Sequence, residues 1–368
     1  MYEELDNFEP VAKIAVLGVG GAGNNAVNRM IDENITNVEF YVANTDKQAL
    51  SLSKTPNRII LGQNTANGLG AGGDPKIGRR AAEESIDIIK DVILGKDMLF
   101  IAAGMGGGTG TGAAPVIAKA AKEMGILTVA IITRPFMFEG NDKAKIAVEG
   151  IAELSKVVDS VIVVSNDKLM MYEGNSTVNN AFAKADTILA RSVKTVTDII
   201  MTPYLMNLDF ADVKNVLKDS VVALIGYGQG TGPNKAIDAA ESAINCPLLE
   251  TGIIGARRCL CGLTYGPSVT MVEINATIQK INQMAGNQLN IKFALTCNNE
   301  LDDDILISII ATDFVNAQEI LSGEQTPTIQ KTNEPKDSDD EYEDFEEWER
   351  WDEEDEPGFV MRITAEEE

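Results

Sequence analysis

The sequence predicts an α/β protein: a parallel sheet covered by helices on both faces, followed by a smaller αβ domain and an acidic tail. Three observations carry that expectation. Between residues 13 and 165 short apolar, β-rich runs alternate with helical stretches, the order that buries a parallel sheet between helices. A shorter alternation of the same kind occupies about 212 to 314. Beyond Ala317 the apolar pattern stops, and the last 35 residues hold eighteen acidic and three basic side chains, a net charge of −15.

Taken in order, "KIAVLG" (13–18), "VEFYVA" (38–43), "DMLFIAA" (97–103), "ILTVAII" (126–132) and "SVIVV" (160–164) read as strands. Helical patterns lie between them at about 23–33, 75–92, 112–124 and 143–157. Asp74 and Pro75 supply a cap and a first helical residue for the second of these. Residues 179–202 form one long helical stretch bounded by Pro203, and its length suits a connector between domains. The second unit has helices near 234–245 and 270–285 and strands "VVALIG", "RCLCGLT", "IKFALTC" and "ILISIIAT". The expected organisation is an N-terminal extension (1–12), a nucleotide domain (13–178), a central helix (179–202) and a C-terminal αβ domain (203–316). A disordered acidic linker (317–355) and a terminal peptide (356–368) follow, because so little apolar surface cannot offset chain entropy. Tyr342, Phe345, Trp348 and Trp351 nonetheless fall at i, i+3 spacing in the linker. The simplest reading is scattered aromatics in a solvated tail.

Composition removes several function classes. At 368 residues the chain outgrows one ordinary core, which rarely exceeds about 250 residues. Its net charge of −25 argues against nucleic-acid binding, which needs clustered Lys and Arg. Adsorption to anionic lipid is disfavoured for the same reason. No apolar run approaches the ~18 residues of a membrane span, and "MYEELDNFEP" lacks the order of a secretory leader. A cytoplasmic protein without direct membrane insertion is expected. There is no histidine, which removes Ser-His-Asp and Cys-His catalysis and every His-dependent metal site. Cys246, Cys259, Cys261 and Cys297 read most simply as small buried hydrophobes in a reducing compartment, with Cys259 and Cys261 on one strand face.

Two glycine loops are more informative. In "KIAVLGVGGAGNNAVNRM", Gly18, Gly20 and Gly23 satisfy G-x-G-x-x-G, and Asp46 closes a second strand 23 residues after Gly23. Alone, this is the dinucleotide-binding fingerprint. Its physics is more general: small residues let N–H groups at a helix N-terminus approach phosphate. "GMGGGTGTGA" (104–113) repeats the strand–loop–helix form after "DMLFIAA", and "NGLGAGGDP" (67–75) offers a third glycine segment. A pyrophosphate of about two charges is served by one loop, whereas a triphosphate of about four is better met by several helix N-termini. No G-x-x-x-x-G-K-[ST] occurs, so amides, Thr109, Thr111 and a cation must meet that charge.

At "GGGTGTG" the chain resembles the tubulin/FtsZ family, the tubulin-like cell-division GTPases. From residue 13 to about 314 the segments "GVGGAGNNAVNRM", "VANTDKQAL", "GLGAG", "FIAAGMGGGTGTGAAPVIA", "RPFMFEG", "SNDKL", "NLDFADV" and "PLLE" follow in the family's order. The resemblance implies a Rossmann-like parallel-sheet GTPase domain joined by a long central helix to a smaller αβ domain. It implies GTP and GDP as ligands, with Mg²⁺. Gly20, Gly21, Ala22, Gly23, Asn24 and Asn25 would lie on the phosphates with Gly104, Gly106, Gly107, Gly108, Thr109 and Gly110, assisted by Ala71 and Gly72. Glu139 would contact the ribose, and Asn166, Phe182 and Asp186 would hold guanine. Guanine offers N1–H and N2–H₂ side by side to a carboxylate, and residues 182 and 186 share one helix face.

"MNLDFADVKNVL" (206–217) places Asp209 and Asp212 where a helix begins, which reads most simply as capping. The resemblance implies a catalytic loop that docks on the neighbouring subunit's nucleotide. Asp209 and Asp212 would polarise the attacking water and Asn207 would position the loop. Such head-to-tail contact does not close on itself, so a filament follows, expected in the division ring at mid-cell. Three departures from the family stand out: Ala22 replaces a frequent glycine, Lys143 stands where the family has an Arg, and "EPGFVMRITAEEE" is a degenerate form of the terminal peptide. A Lys is a point charge instead of a bidentate fork. Phe359, Val360 and Met361 would be the contacts for division proteins or membrane tethers. Two other classes stay open: an NAD-dependent oxidoreductase, and a GTP-switched scaffold that does not hydrolyse.

Overall fold

The computed structural model describes residues 12–168, 177–201, 205–206, 208–246, 249, 252–286 and 288–323. The chain begins β1 (Ile14–Val19), α1 (Gly20–Asp32), β2 (Glu39–Asn44), α2 (Lys47–Ser51), β3 (Arg58–Ile60), α3 (Pro75–Glu84) and α4 (Ile86–Ile93). β4 (Met98–Gly104), α5 (Thr109–Glu123), β5 (Leu127–Arg134), α6 (Asn141–Leu154) and β6 (Ser160–Ser165) complete the first half. The long α7 (Val178–Met201) leads to α8 (Phe210–Leu217), β7 (Val221–Gly230), α9 (Lys235–Ile244) and β8 (Arg258–Tyr265). α10 (Met271–Met284), β9 (Asn290–Cys297), β10 (Ile305–Thr312) and α11 (Ala317–Ser322) follow.

Alternation along the strands divides the apolar residues between two faces of one sheet. In β1, Ala15, Leu17 and Val19 join the core beneath α5, whereas Ile14 and Val16 join the core beneath α1 and α7. In β4, Leu99, Ile101 and Ala103 separate from Met98, Phe100 and Ala102 in the same way. Cys259 and Cys261 are buried on one face, as strand alternation requires. The strand order is β3-β2-β1-β4-β5-β6-β7-β10-β8-β9. Pairing is parallel from β3 through β7, and β10 runs antiparallel to both β7 and β8. The two αβ blocks therefore share more than the central helix: β6 pairs directly with β7, Ser160 opposite Val221 through Ile162 opposite Ala223.

The order reverses between β1 and β4, since successive strands depart from that pair in opposite directions. Open parallel sheets leave a crevice at the carboxyl ends of such a pair. α1 follows β1 on one face and α5 follows β4 on the other, so two helix N-termini arrive at the same edge. Both begin about three residues earlier than periodicity suggests, at Gly20 and Thr109. Close packing outweighs glycine's low helix propensity there. A Cβ on Gly23 would lie 2.2 Å from the Ala102 carbonyl oxygen, and one on Gly112 would lie 2.0 Å from that of Pro75.

Two further elements differ from expectation. The 75–92 stretch is two helices, broken at Ser85. The expected linker does not begin at 317, because Ala317–Ser322 is helical with Ile320 and Leu321 buried. The Arg134 guanidinium holds this helix end, donating to the carbonyls of Ile320 (3.1 Å), Leu321 (2.8 Å) and Ser322 (3.2 Å). That cation satisfies carbonyls a helix C-terminus leaves without partners. Residues 1–11 and the rest of the 317–368 segment, with its aromatic ladder and the 359–361 triplet, lie outside the described residues. Among the described residues no helix is long and apolar enough to cross a membrane.

Candidate functional site

A cavity of about 270 Å³ opens at the crevice between β1 and β4. Gly20, Gly21 and Ala22 at the start of α1 form one wall, and Gly104, Gly106, Gly107, Gly108, Thr109 and Gly110 form the next. Neither α1 nor α5 has a side-chain cap, whereas Asp46, Asp74 and Asp209 cap α2, α3 and α8. The first N–H groups of α1 and α5 are thus left for an anion. The loop before α5 is braced from within: Gly106 N donates to Thr111 Oγ1 at 3.0 Å, and the Thr109 and Thr45 hydroxyls are 2.7 Å apart. Gly106 needs its φ of 99°, which a side chain would resist. Ala22 also fits, its methyl filling the space a Cβ on Gly104 would take, at 2.7 Å.

The opposite end of the cavity has different chemistry. Asn166, Phe182 and Asp186 line it, with Ala185 between the last two on α7. Phe182 is half-exposed and packs edge-on against Phe136, with ring centroids 4.9 Å apart. Asn166 is 5% exposed, and its buried Oδ1 has no donor among the described residues. An orphaned acceptor of this kind carries a desolvation cost that a ligand N–H relieves. Burial pushes the Asp186 carboxyl up to about 7, opposed by the Arg29 guanidinium. Arg29 is held on α7 by Thr187 Oγ1 at 3.0 Å. An unpartnered acceptor and a desolvated carboxyl thus face one volume.

Glu139 and Lys143 line the middle, and they are joined: Lys143 Nζ is 3.0 Å from Glu139 Oε2. Glu139 Oε1 also accepts from Phe136 N at 3.0 Å, which fixes the carboxylate's place on the rim.

Other residues singled out by sequence lie elsewhere. Gly23 is packed against β4, and Asn25 is exposed outside the cavity. Asn24 is buried, and its amide nitrogen reaches the carbonyls of Gly20 at 2.9 Å and Gly18 at 3.3 Å, bracing the loop from behind. Ala71 and Gly72 do not line the cavity; Ala71 backs Gly108, where a Cβ would come within 2.8 Å of it. Asp209 and Asp212 are also outside it. Asp209 Oδ1 accepts from Asp212 N at 2.7 Å as the cap of α8, and Asp212 Oδ1 is 3.3 Å from Lys292 Nζ. Asn207 lies outside the described residues. Conversely, Val19, Met105, Thr133, Pro135 and Ala185 line the cavity without having been singled out. Thr133 and Pro135 follow from the strand-end rule, because β5 ends at the same edge.

Fold and site together define a doubly wound α/β protein of the nucleotide-binding class, with two uncapped helix N-termini at its crevice and no P-loop lysine. Comparison with known proteins refines that class. Residues 13–202 match the model of the Tubulin/FtsZ family, GTPase domain, and residues 221–315 match that of the FtsZ family, C-terminal domain. The cell division protein FtsZ of Mycoplasmopsis pulmonis is 48% identical over 322 residues, which cover 88% of this chain and 82% of that one. A solved FtsZ dimer from M. jannaschii aligns with a TM-score of 0.76 at 38% identity, over 82% of this chain and 88% of that chain. The GDP-bound CetZ1 of Haloferax volcanii, at 22% identity, shares the fold with a TM-score of 0.73, over 84% of this chain and 97% of its own. The chain belongs to the tubulin/FtsZ family, the tubulin-like cell-division GTPases that assemble into filaments.

Proposed function

We propose that the cavity binds GTP with its phosphates on the N-termini of α1 and α5 and its guanine between Phe182, Asn166 and Asp186. One observation carries this reading. A single pocket has uncapped helix N-termini at one end and, at the other, a buried orphan acceptor beside a desolvated carboxylate. Guanine N1–H and N2–H₂ satisfy both acceptors, whereas adenine presents an unprotonated N1 there. Glu139 faces the ribose, and its ion pair holds Lys143 at the rim. The nicotinamide reading loses its footing, because the first glycine loop belongs to a GTPase domain match that covers both loops.

Magnesium is the cofactor this reading implies, and it would lower the charge on the leaving phosphate. Among the described residues no group of three or more acidic side chains could hold a metal ion. A phosphate-borne ion with Thr109 as the neighbouring hydroxyl is what the lining fits.

Hydrolysis needs a group to orient water, and the lining carboxylates are committed, Asp186 to the base and Glu139 to Lys143. Asp209 and Asp212 lie outside the cavity at the start of α8. We assign them to the next subunit's nucleotide: Asp209 caps and orients the turn, and Asp212 faces the water. Asn207, two positions before Asp209 in the sequence, is assigned to the same task. Head-to-tail repetition of that contact generates a filament that bridges subunits through the nucleotide. The solved relative described as a dimer and a CetZ2 protofilament carrying GTPγS fit such assembly. Its expected place is the cytoplasmic division site, with tethers or division proteins recruited by the 356–368 peptide.

The test is turnover against protein concentration in GTP and Mg²⁺. Specific activity should be near zero at low concentration and rise steeply above a threshold. Asp212→Ala should bind GTP normally and lose about 10²–10⁴-fold in turnover. Turnover independent of concentration would sink the site shared between subunits.

A further inference from the structure

The segment between β3 and α3 is costly to order. Asn67, Gly68, Gly70, Gly72 and Gly73 all take positive φ, and glycine loses the most conformational freedom on ordering. Yet the end of this segment backs the phosphate grip. Ala71 is buried, and a Cβ on Gly108 would lie 2.8 Å from the Ala71 Cβ and 2.9 Å from Asp74 N. Gly108 therefore leans on that segment, while the Thr109 that follows it is also held by the Thr45 hydroxyl.

Backbone bonds hold its middle, Ala66 N to the Gly62 carbonyl at 2.8 Å, Lys47 N to that of Gly68 at 3.1 Å and Gly70 N to that of Thr45 at 3.2 Å, and side chains hold it at the two ends of one helix. At the N-terminus of α3, Asp74 Oδ1 accepts from Lys76 N at 2.8 Å, and Asp74 N donates to the Ala71 carbonyl at 3.0 Å. At the C-terminus, one carboxylate receives four hydrogen bonds. Glu84 Oε1 accepts from Asn64 N and Asn64 Nδ2, both at 2.9 Å. Glu84 Oε2 accepts from Thr65 N at 2.9 Å and Thr65 Oγ1 at 2.6 Å. Ser85 Oγ adds a bond from Gly62 N at 2.9 Å. These donors hold the Glu84 carboxyl below its usual range. Neighbouring Glu83 is differently engaged, 3.5 Å from Arg79.

We propose that Glu84 is a positioning residue for the nucleotide's phosphates, acting through residues 64–74 on the wall formed by Gly108 and Thr109. It does not line the cavity. Its effect should therefore grow with the number of phosphates and spare the base, whose pocket is built by β6 and α7. Glu84→Gln is the sharp perturbation, because an amide NH₂ faces two of the four donors and cannot accept from them. The inference rests on the guanine-nucleotide reading above.

The experiment titrates GTP, GDP and GMP against a fluorescent guanine nucleotide on the full chain, with Glu83→Gln as control. Glu84→Gln should weaken GTP by about tenfold, as loss of charged hydrogen bonds would, and GMP by less than about twofold. Amide exchange at Asn64 and Thr65 should quicken, and Glu84→Asp should recover part of the loss. An equal loss for all three nucleotides overturns the inference, as does unchanged GTP affinity with quickened exchange. If Glu84→Gln does not fold, Thr65→Val removes one of the four bonds and should give the same ordering at smaller size. A wild-type chain that binds no guanine nucleotide sinks the binding reading itself, a result distinct from either of those.

Discussion

Taking the protein from pH 8 to pH 6 should loosen its hold on guanine, and the size of the effect follows from one side chain. Burial raises the Asp186 carboxyl to about 7 in the free protein. Guanine pairs with the ionised form only, so binding expels whatever proton the carboxylate carries. With a midpoint near 7, about nine-tenths of the free protein is ready at pH 8 and about one-tenth at pH 6. Affinity should therefore fall about tenfold, ~1.4 kcal/mol, and level off above pH 8. The free protein's stability responds in the opposite sense. A raised carboxyl contributes most below its unfolded value of 3.8, and that contribution is lost as pH rises through about 7.

The nucleotide's terminal phosphate also titrates near pH 6, so wild type alone is not decisive. Asp186→Asn keeps the size and removes the titration, leaving only the phosphate's slope. Calorimetric GDP titrations at pH 6, 7 and 8, in buffers of differing ionisation enthalpy, separate the two. Wild type should release about half a proton more than the variant at pH 7. Identical pH slopes, or GDP bound as tightly by Asp186→Asn as by wild type, would refute the reasoning.

Two structural predictions are independent of the nucleotide. Gly112→Ala places a methyl 2.0 Å from the Pro75 carbonyl oxygen; backbone must shift, and thermal unfolding should report a loss of about 1–3 kcal/mol or more. Arg134→Met removes the donors to three carbonyls of α11. Amide exchange and proteolysis should then quicken at 317–322 while β1–β6 keep wild-type protection, and unchanged protection of α11 would contradict its capping by Arg134.

What the sequence disclosed and what it hid divide along sequence separation. Most strands and helices and the two glycine loops are written in local patterns of two, 3.6 or a few residues and were legible, whereas the short α2 and β3, the break at Ser85 and the helix α11 were not. The glycines misled only about where helices start, since tight packing against Ala102 and Pro75 is a property of neighbours far along the chain. Phe182 and Asp186 look locally like a core ring and a solvent charge. Only Asn166, sixteen residues upstream of Phe182, and Phe136, 46 residues upstream, turn them into one pocket. The third glycine segment suggests another set of phosphate donors, yet its Ala71 lies one layer back, against Gly108. That displacement gives Glu84 a task no motif encodes. A phosphate grip made of backbone amides has no side chain of its own to set its shape, so its geometry must be imposed by the polar side chains standing behind it. Glu84, Thr45, Thr111 and Asn24 hold those places, and their reach across the sequence is why a loop so recognisable in one dimension conceals its supports.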